Sequence, residues 1–192
     1  MKWTIPGTVL QIPLEDADSV EDLFSSMFLA GGMVLSQVAS VTGLEPYTVQ
    51  NWVKRGFLSP PQRKRYSLNQ LCRILNINML KASLPMERIC GLLGYVNGAL
   101  DDTSDDIIDD SALYFRFVRL AARAKLSDDR ERLRRALDES LADYPEPVPG
   151  ARERVEQALR VMLIAWSAAQ LRQQAEQMLE QLHEKGVMQH GK

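Results

Sequence analysis

Residues 34–68 read V-L-S-Q-V-A-S-V-T-G-L-E-P-Y-T-V-Q-N-W-V-K-R-G-F-L-S-P-P-Q-R-K-R-Y-S-L, and this stretch decides the fold. Its apolar spacing predicts a short helix over Ser36–Val41, a turn at Gly43 and a second helix from Pro46 to Arg55. Proline suits a first helical turn, where its missing N–H is not needed, and Gly56 ends the helix. Two short helices that cross steeply need a small residue where they touch and a flexible one between them. Ala39 lies four residues before Gly43 and ten before Val49. Val38, Leu44, Val49 and Trp52 supply apolar contacts, so Trp52 reads as core rather than as a base-stacking residue. This leaves Thr48, Gln50, Asn51, Lys54 and Arg55 on the opposite side of the second helix. Gln and Asn match adenine edges in a major groove, and Lys and Arg reach guanine or phosphate. Residues 57–67 hold Pro60-Pro61, the basic run Arg63-Lys64-Arg65 and Tyr66. They read as a loop or small hairpin. A merely solvated loop is the bland alternative, but beside such a helix phosphate contact is the better reading.

Working outward, the net charge of −2 hides an uneven distribution. Residues 45–88 carry eight Lys/Arg against two acids, whereas residues 1–44 and 89–192 each sum to −4. One basic segment between two acidic ones fits a module that meets phosphate. Chance clustering on a solvated face explains charge alone equally well.

Upstream, Ser19 reads as a helix cap with Asp22 three residues on, followed by Val20, Leu23, Phe24, Met27 and Phe28 on one face. Downstream, Leu68–Lys81 is helical, and a helix after Pro85 carries Met86, Ile89, Leu92 and Leu93 to Gly94. Ala99–Asp110 reads as an acidic linker. Ser111 or Asp110 then caps one helix and Ser127 the next, with Asp128 and Asp129 in its first turn. P-E-P-V-P-G, Pro145–Gly150, is a break, and a terminal helix runs from Ala151 to Lys185. In it Val155, Leu159, Met162 and Trp166 repeat at spacings 4, 3, 4. Leu171, Ala175, Met178 and Leu182 repeat likewise after a shift in register. The first run is expected inside a C-terminal core and the second across a two-fold partner. The expected fold is all-α, with a β wing as its only strands. Residues 1–98 form a DNA-binding head and residues 99–192 an acidic linker and helical dimerisation or effector region.

Other chemistries find little support. The N-terminus lacks a sustained apolar core for a signal peptide, and the apolar run Val161–Ala169 is too short to span a bilayer. A cytoplasmic protein is expected. Cys72 and Cys90 form neither a disulfide framework nor a metal knuckle. Asp101, Asp102, Asp105 and Asp106 spell D-D-x-x-D-D, a magnesium-diphosphate pattern elsewhere. Here the segment lacks a second acidic motif, so a solvated linker that repels phosphate is preferred. His183 and His190 have no Ser or Cys partner that would make a triad. No catalytic residue, cofactor or metal is expected.

The order W-V-K-R-G-F-L-S-P, R-K-R-Y-S and L-P-M-E-R-I-C-G-L-L resembles the MerR superfamily over about 60 residues, between Val34 and Leu93. That resemblance implies a winged helix-turn-helix whose wing bears Arg63, Lys64 and Arg65 against phosphate. Tyr66 would pack the wing down and also touch phosphate. It further implies a homodimer through antiparallel C-terminal helices and a double-stranded DNA partner. Gln50-Asn51 stands where many MerR proteins have Arg-Tyr or Arg-Phe, so base preference does not carry over. No cysteines surround the dimer helix, which argues against metal sensing. From about residue 20 to 170 the layout is similar to the bacterial family catalogued as the domain of unknown function numbered 1836. Asn97-Gly98, Asp101-Asp102, Ser104 to Asp109 and Leu113-Tyr114 carry that likeness. The expected function is a sequence-specific transcriptional regulator whose effector is unidentified. Tyr114, Phe115, Phe117, Met162 and Trp166 would line a pocket for such an effector, although ordinary core packing accounts for them better. A protein-interaction adaptor that keeps the fold without reading sequence is the alternative.

Overall fold

The computed structural model describes residues 1–98, 100, 104–125 and 130–184. The chain is mostly helical, with one small two-stranded sheet and a long C-terminal helix. It begins with a hairpin, β1 (Lys2–Thr4) antiparallel to β2 (Gln11–Pro13), with Trp3 opposite Ile12. A 3-10 helix, Leu14–Ser19, leads into α1 (Val20–Met27). Next come α2 (Leu35–Thr42), α3 (Pro46–Lys54), α4 (Leu68–Leu80), α5 (Met86–Asn97), α6 (Asp110–Lys125), α7 (Arg130–Ser140) and α8 (Ala151–Glu184).

Two expectations are corrected at the start of the chain. The strands lie at residues 2–13 and residues 57–67 form only isolated bridges, because Trp3 and Ile5 are buried beneath the helices and the hairpin delivers them there. Ser19 gives α1 no side-chain cap, since the 3-10 helix runs directly into it and already occupies the backbone groups at that end. Of the expected apolar face, Val20 and Phe24 are buried while Leu23 is exposed.

α4 is the central element, packed most extensively on α6. Its start carries a reciprocal capping box: the Gln70 N–H donates to Ser67 Oγ at 3.2 Å, and Gln70 Oε1 accepts from the Ser67 N–H at 3.0 Å. Leu71, Ile74, Leu75 and Ile77 are fully buried. One continuous apolar core runs from Trp3 to Trp166. Phe24, Tyr114 and Phe115 meet edge-on or tilted at centroid distances of 5.5 to 6.0 Å, and the Tyr114 hydroxyl donates to the Pro6 carbonyl at 2.8 Å. Phe117 packs edge-on against Trp166. The aromatic group considered for an effector pocket is thus core.

The described part of the acidic segment is more than a solvated linker. Ile107 and Ile108 are buried, and both their N–H groups donate to the Val96 carbonyl. Asp109, rather than Ser111 or Asp110, caps α6: its Oδ1 accepts from the Ala112 N–H at 2.8 Å. Asp110 turns inward instead, 3.2 Å from the Arg73 guanidinium, with both side chains almost wholly buried. The Asn76 amide donates to the Asp110 carbonyl. Asp101 and Asp102, the caps proposed at Ser127 to Asp129, the helix end at Lys185, and His190 lie outside the described residues.

α8 presents two apolar faces. Val155, Leu159, Met162 and Trp166 are buried, as their spacing predicts. The other row is longer than the expected run: Val161, Ile164, Ala168, Leu171, Ala175, Met178 and Leu182 are all exposed at alternating spacings of three and four. No described helix is long and apolar enough to cross a membrane.

Candidate nucleic-acid interface

The site is built by α2, α3 and the basic turn that follows. α2 ends where Gly43 enters the left-handed region at φ 69°, and the Gly43 N–H donates to the Ala39 carbonyl at 2.9 Å. A Cβ on Gly43 would lie 2.6 Å from Val9 Cγ1, so glycine serves both the turn and the approach of the N-terminal hairpin. Thr42 Oγ1 donates to the Val38 carbonyl at 2.8 Å and accepts from the Leu44 N–H at 3.2 Å, which stitches the turn. Val38, Leu44, Val49 and Trp52 are buried between the helices, Ala39 is half-buried, and Pro46 opens α3. The Asn78 amide braces the turn from below, donating to the carbonyls of Gly7 and Thr42.

On the far side of α3, Gln50, Asn51, Lys54 and Arg55 are exposed, while Thr48 is half-buried on the flank. The chain then doubles back through Gln62 and Arg65, whose backbones pair, with the Arg65 N–H donating to the Gln62 carbonyl at 2.9 Å. Between them Arg63 and Lys64 sit at φ 48° and 62°. Both central residues of a two-residue turn are therefore at positive φ, a geometry that selects Asn-Gly or Gly-Gly where nothing else is demanded. Two long cations here impose backbone strain. Met33 and Tyr66 exchange backbone hydrogen bonds at 2.9 and 2.7 Å. Gly32 permits that pairing, since a Cβ there would fall 2.6 Å from the Tyr66 carbonyl. The Gln70 amide holds the loop's other limb through the Ser59 and Pro60 carbonyls.

The cations differ in their freedom. Among the described residues, Lys54, Arg63 and Lys64 have no carboxylate within ion-pair reach. Arg65 is exposed but its guanidinium donates to the Gly32 carbonyl at 2.7 Å. Arg55 lies 3.7 Å from Glu87 and over the Phe57 ring at 4.6 Å. Tyr66 is only 3% exposed and packs the turn down onto the core, and burial pushes its phenol above the usual range. Its backbone pairing with Met33 anchors the turn, and its side chain is also among those lining the groove between α3 and the turn. A groove of about 560 Å³ separates α3 from the turn, with Val34, Leu35, Gln50, Val53, Pro61 and Lys64 among its walls. Gln50 and Lys64 therefore open onto one surface.

Sequence reasoning missed Tyr47. It is 71% exposed and stands four and seven residues before Asn51 and Lys54, the spacing of a single helical row. That row was visible in the sequence, but attention to polar and basic types passed over an aromatic.

Among the described residues no three His, Cys, Asp or Glu are grouped to hold a metal. Burial chiefly, then the neighbouring Asp110, raises the Asp106 carboxyl to about 6. Cys72 is buried with its thiol well above the usual range, Cys90 is half-buried, and His183 is exposed on α8.

The family model described as a domain of unknown function, DUF1836, matches residues 22–117, half of the chain. The uncharacterized protein YkrK of Bacillus subtilis (strain 168) is 32% identical over 84 residues, which cover 42% of this chain and 36% of that protein. The match thus spans little more than a third of its relative's length. No solved structure matches the chain.

Proposed function

The chain belongs to the DUF1836 family, and from the surface it builds on α3 we propose that it is a MerR-like winged helix-turn-helix regulator that binds double-stranded DNA in the cytoplasm. One observation carries this reading: exposed Gln50, Asn51 and Lys54 share a face with a strained turn whose two central residues are cations. Strain of this kind persists where function requires it. α3 enters the major groove as the reading helix, and Arg63 and Lys64 hold the flanking phosphates. The role is binding rather than catalysis.

The regulator is a homodimer through α8. The exposed row from Val161 to Leu182 supports this, since the other described residues leave seven heptad-spaced apolar positions uncovered. Light scattering at micromolar concentration is expected to give a dimer, and Leu171→Glu with Met178→Glu a monomer. A monomeric parent protein removes the dimer.

DNA binding is tested by retention of a duplex across a salt series. Affinity is expected to fall steeply with salt, and Lys64→Ala to lower the slope of log K against log salt by about one. No retention at about 50 mM salt overturns the reading and leaves a protein-interaction adaptor.

A further inference from the structure

We infer that Tyr47 is a specificity-determining residue of the reading helix, its ring covering the 5-methyl group of a thymine; this rests on the DNA-binding reading above. Side chains on a helix advance by about 100° per residue. With Val49 and Trp52 buried, Tyr47, Asn51 and Lys54 form the row pointing directly away from the core. Tyr47 makes no hydrogen bond, ion pair or ring contact with the described chain, although its ring is 71% exposed. Tyr95, the other exposed tyrosine of the head, is occupied: its hydroxyl meets Gln157 and the Arg154 guanidinium lies 4.7 Å from its ring centroid.

The two ends of the row differ in chemistry. Lys54 stands at the C-terminal end of α3, next to Arg55, where phosphate is the natural partner. Tyr47 is the second residue of α3, behind Pro46, and the N-terminal residues of a reading helix meet base edges. No cation accompanies it there. An aromatic body presented to the major groove finds its apolar match in thymine, the one base that carries a methyl group there. Asn51 lies four residues on, about 6 Å along the axis, against about 3.4 Å per base pair. The methyl group therefore falls roughly two base pairs from an adenine read by Asn51.

The experiment selects a random-sequence duplex library on the full-length protein, then remakes the enriched duplexes with uracil for thymine, which deletes only the methyl group. The parent protein is expected to enrich a thymine about two base pairs from an adenine and to bind the uracil duplex about fourfold more weakly. Tyr47→Ala is expected to bind both duplexes equally, with an unchanged unfolding midpoint, and Tyr47→Phe to keep the preference. Enrichment by a parent protein indifferent to the methyl group, or a thymine preference retained in Tyr47→Ala, overturns the Tyr47 assignment and leaves DNA reading intact. A parent protein that enriches nothing and retains no duplex at low salt overturns both.

Discussion

The basic segment of the chain holds cations in two opposite environments, and the contrast separates those that build the fold from those that face outward. Arg73, on α4, is 8% exposed, lies 3.2 Å from Asp110, and donates through Nε to the Phe57 carbonyl at 3.0 Å. Its charge is met inside the molecule. Among the described residues Arg63 and Lys64 have no ion-pair partner, and both sit at positive φ besides. The excess of basic residues over 45–88 therefore overstates the outward field. Arg73 is neutralised by Asp110, Arg55 leans on Glu87, and Lys81 holds its ammonium 5.9 Å from the Trp52 ring centroid, with burial lowering that ammonium from the usual lysine range. Among the described residues, the exposed cations of this segment without a carboxylate partner include Lys54, Arg63 and Lys64, with Arg88 apart from them on α5.

Breaking the inner pair gives the largest expected effect. Asp110→Ala leaves the Arg73 guanidinium buried without its counter-charge and is expected to cost about 3–5 kcal/mol in urea unfolding. The double variant Arg73→Met/Asp110→Leu is expected to recover most of that loss, since an apolar pair avoids both desolvation costs. Recovery that fails would mean the pair does more than offset its own burial.

The turn is expected to behave in the opposite sense. Arg63→Asn/Lys64→Gly supplies residues suited to positive φ and is expected to stabilise the fold by about 1 kcal/mol in the same unfolding measurement. It is also expected to lower the salt slope of duplex retention by about two. A variant that gains stability and keeps its slope would show that these cations are not used on DNA.

Asp106 offers a smaller test, through pH. Its carboxyl titrates near 6 in the folded chain against an ordinary 3.8. Because the folded pKa is raised, this group's contribution is fully present below about 3.8 and lost as pH rises through about 6. Asp106→Asn is expected to stabilise by about 1 kcal/mol at neutral pH, after discounting for partial solvent screening, and by nothing near pH 3.5. The midpoint of urea unfolding across pH checks it.

Smallest of all, Glu87→Ala is expected to move stability by less than about 0.5 kcal/mol, because its pair with Arg55 is exposed. Duplex retention is expected to strengthen slightly as Arg55 is released. A weakened duplex would place Arg55 outside the binding face.

The parts of this fold legible from sequence are those governed by local chemistry. The turn at Gly43, the proline start of α3, the small hairpin after Gly56 and the buried run of α8 each follow from residue type and spacing. The hairpin at residues 2–13 did not, because two strands of three residues are too short to establish an alternation, and what orders them is contact with helices distant in sequence. The fate of Asp110 was hidden for a related reason. Next to Asp109 it reads as one more solvated acid, and only the arrival of Arg73 from 37 positions earlier distinguishes them. Tyr66 entered the site through the MerR resemblance, and its packing is settled by a backbone pairing with Met33, 33 positions earlier, that the local sequence does not announce. Gln50, Asn51 and Lys54 were legible because burying Val49 and Trp52 leaves them no other direction.

The N-terminal hairpin acts as a splint. Val9 donates its N–H to Val41 and rests against Gly43, while the Asn78 amide fastens Gly7 and Thr42 to the same support. The tilt of α3 is thus set partly by residues that never approach its outward face. A chain trimmed to begin at residue 22 would keep every side chain of that face and lose the clamp that aims them. Its defect would show as a helix pair that wobbles about its hinge.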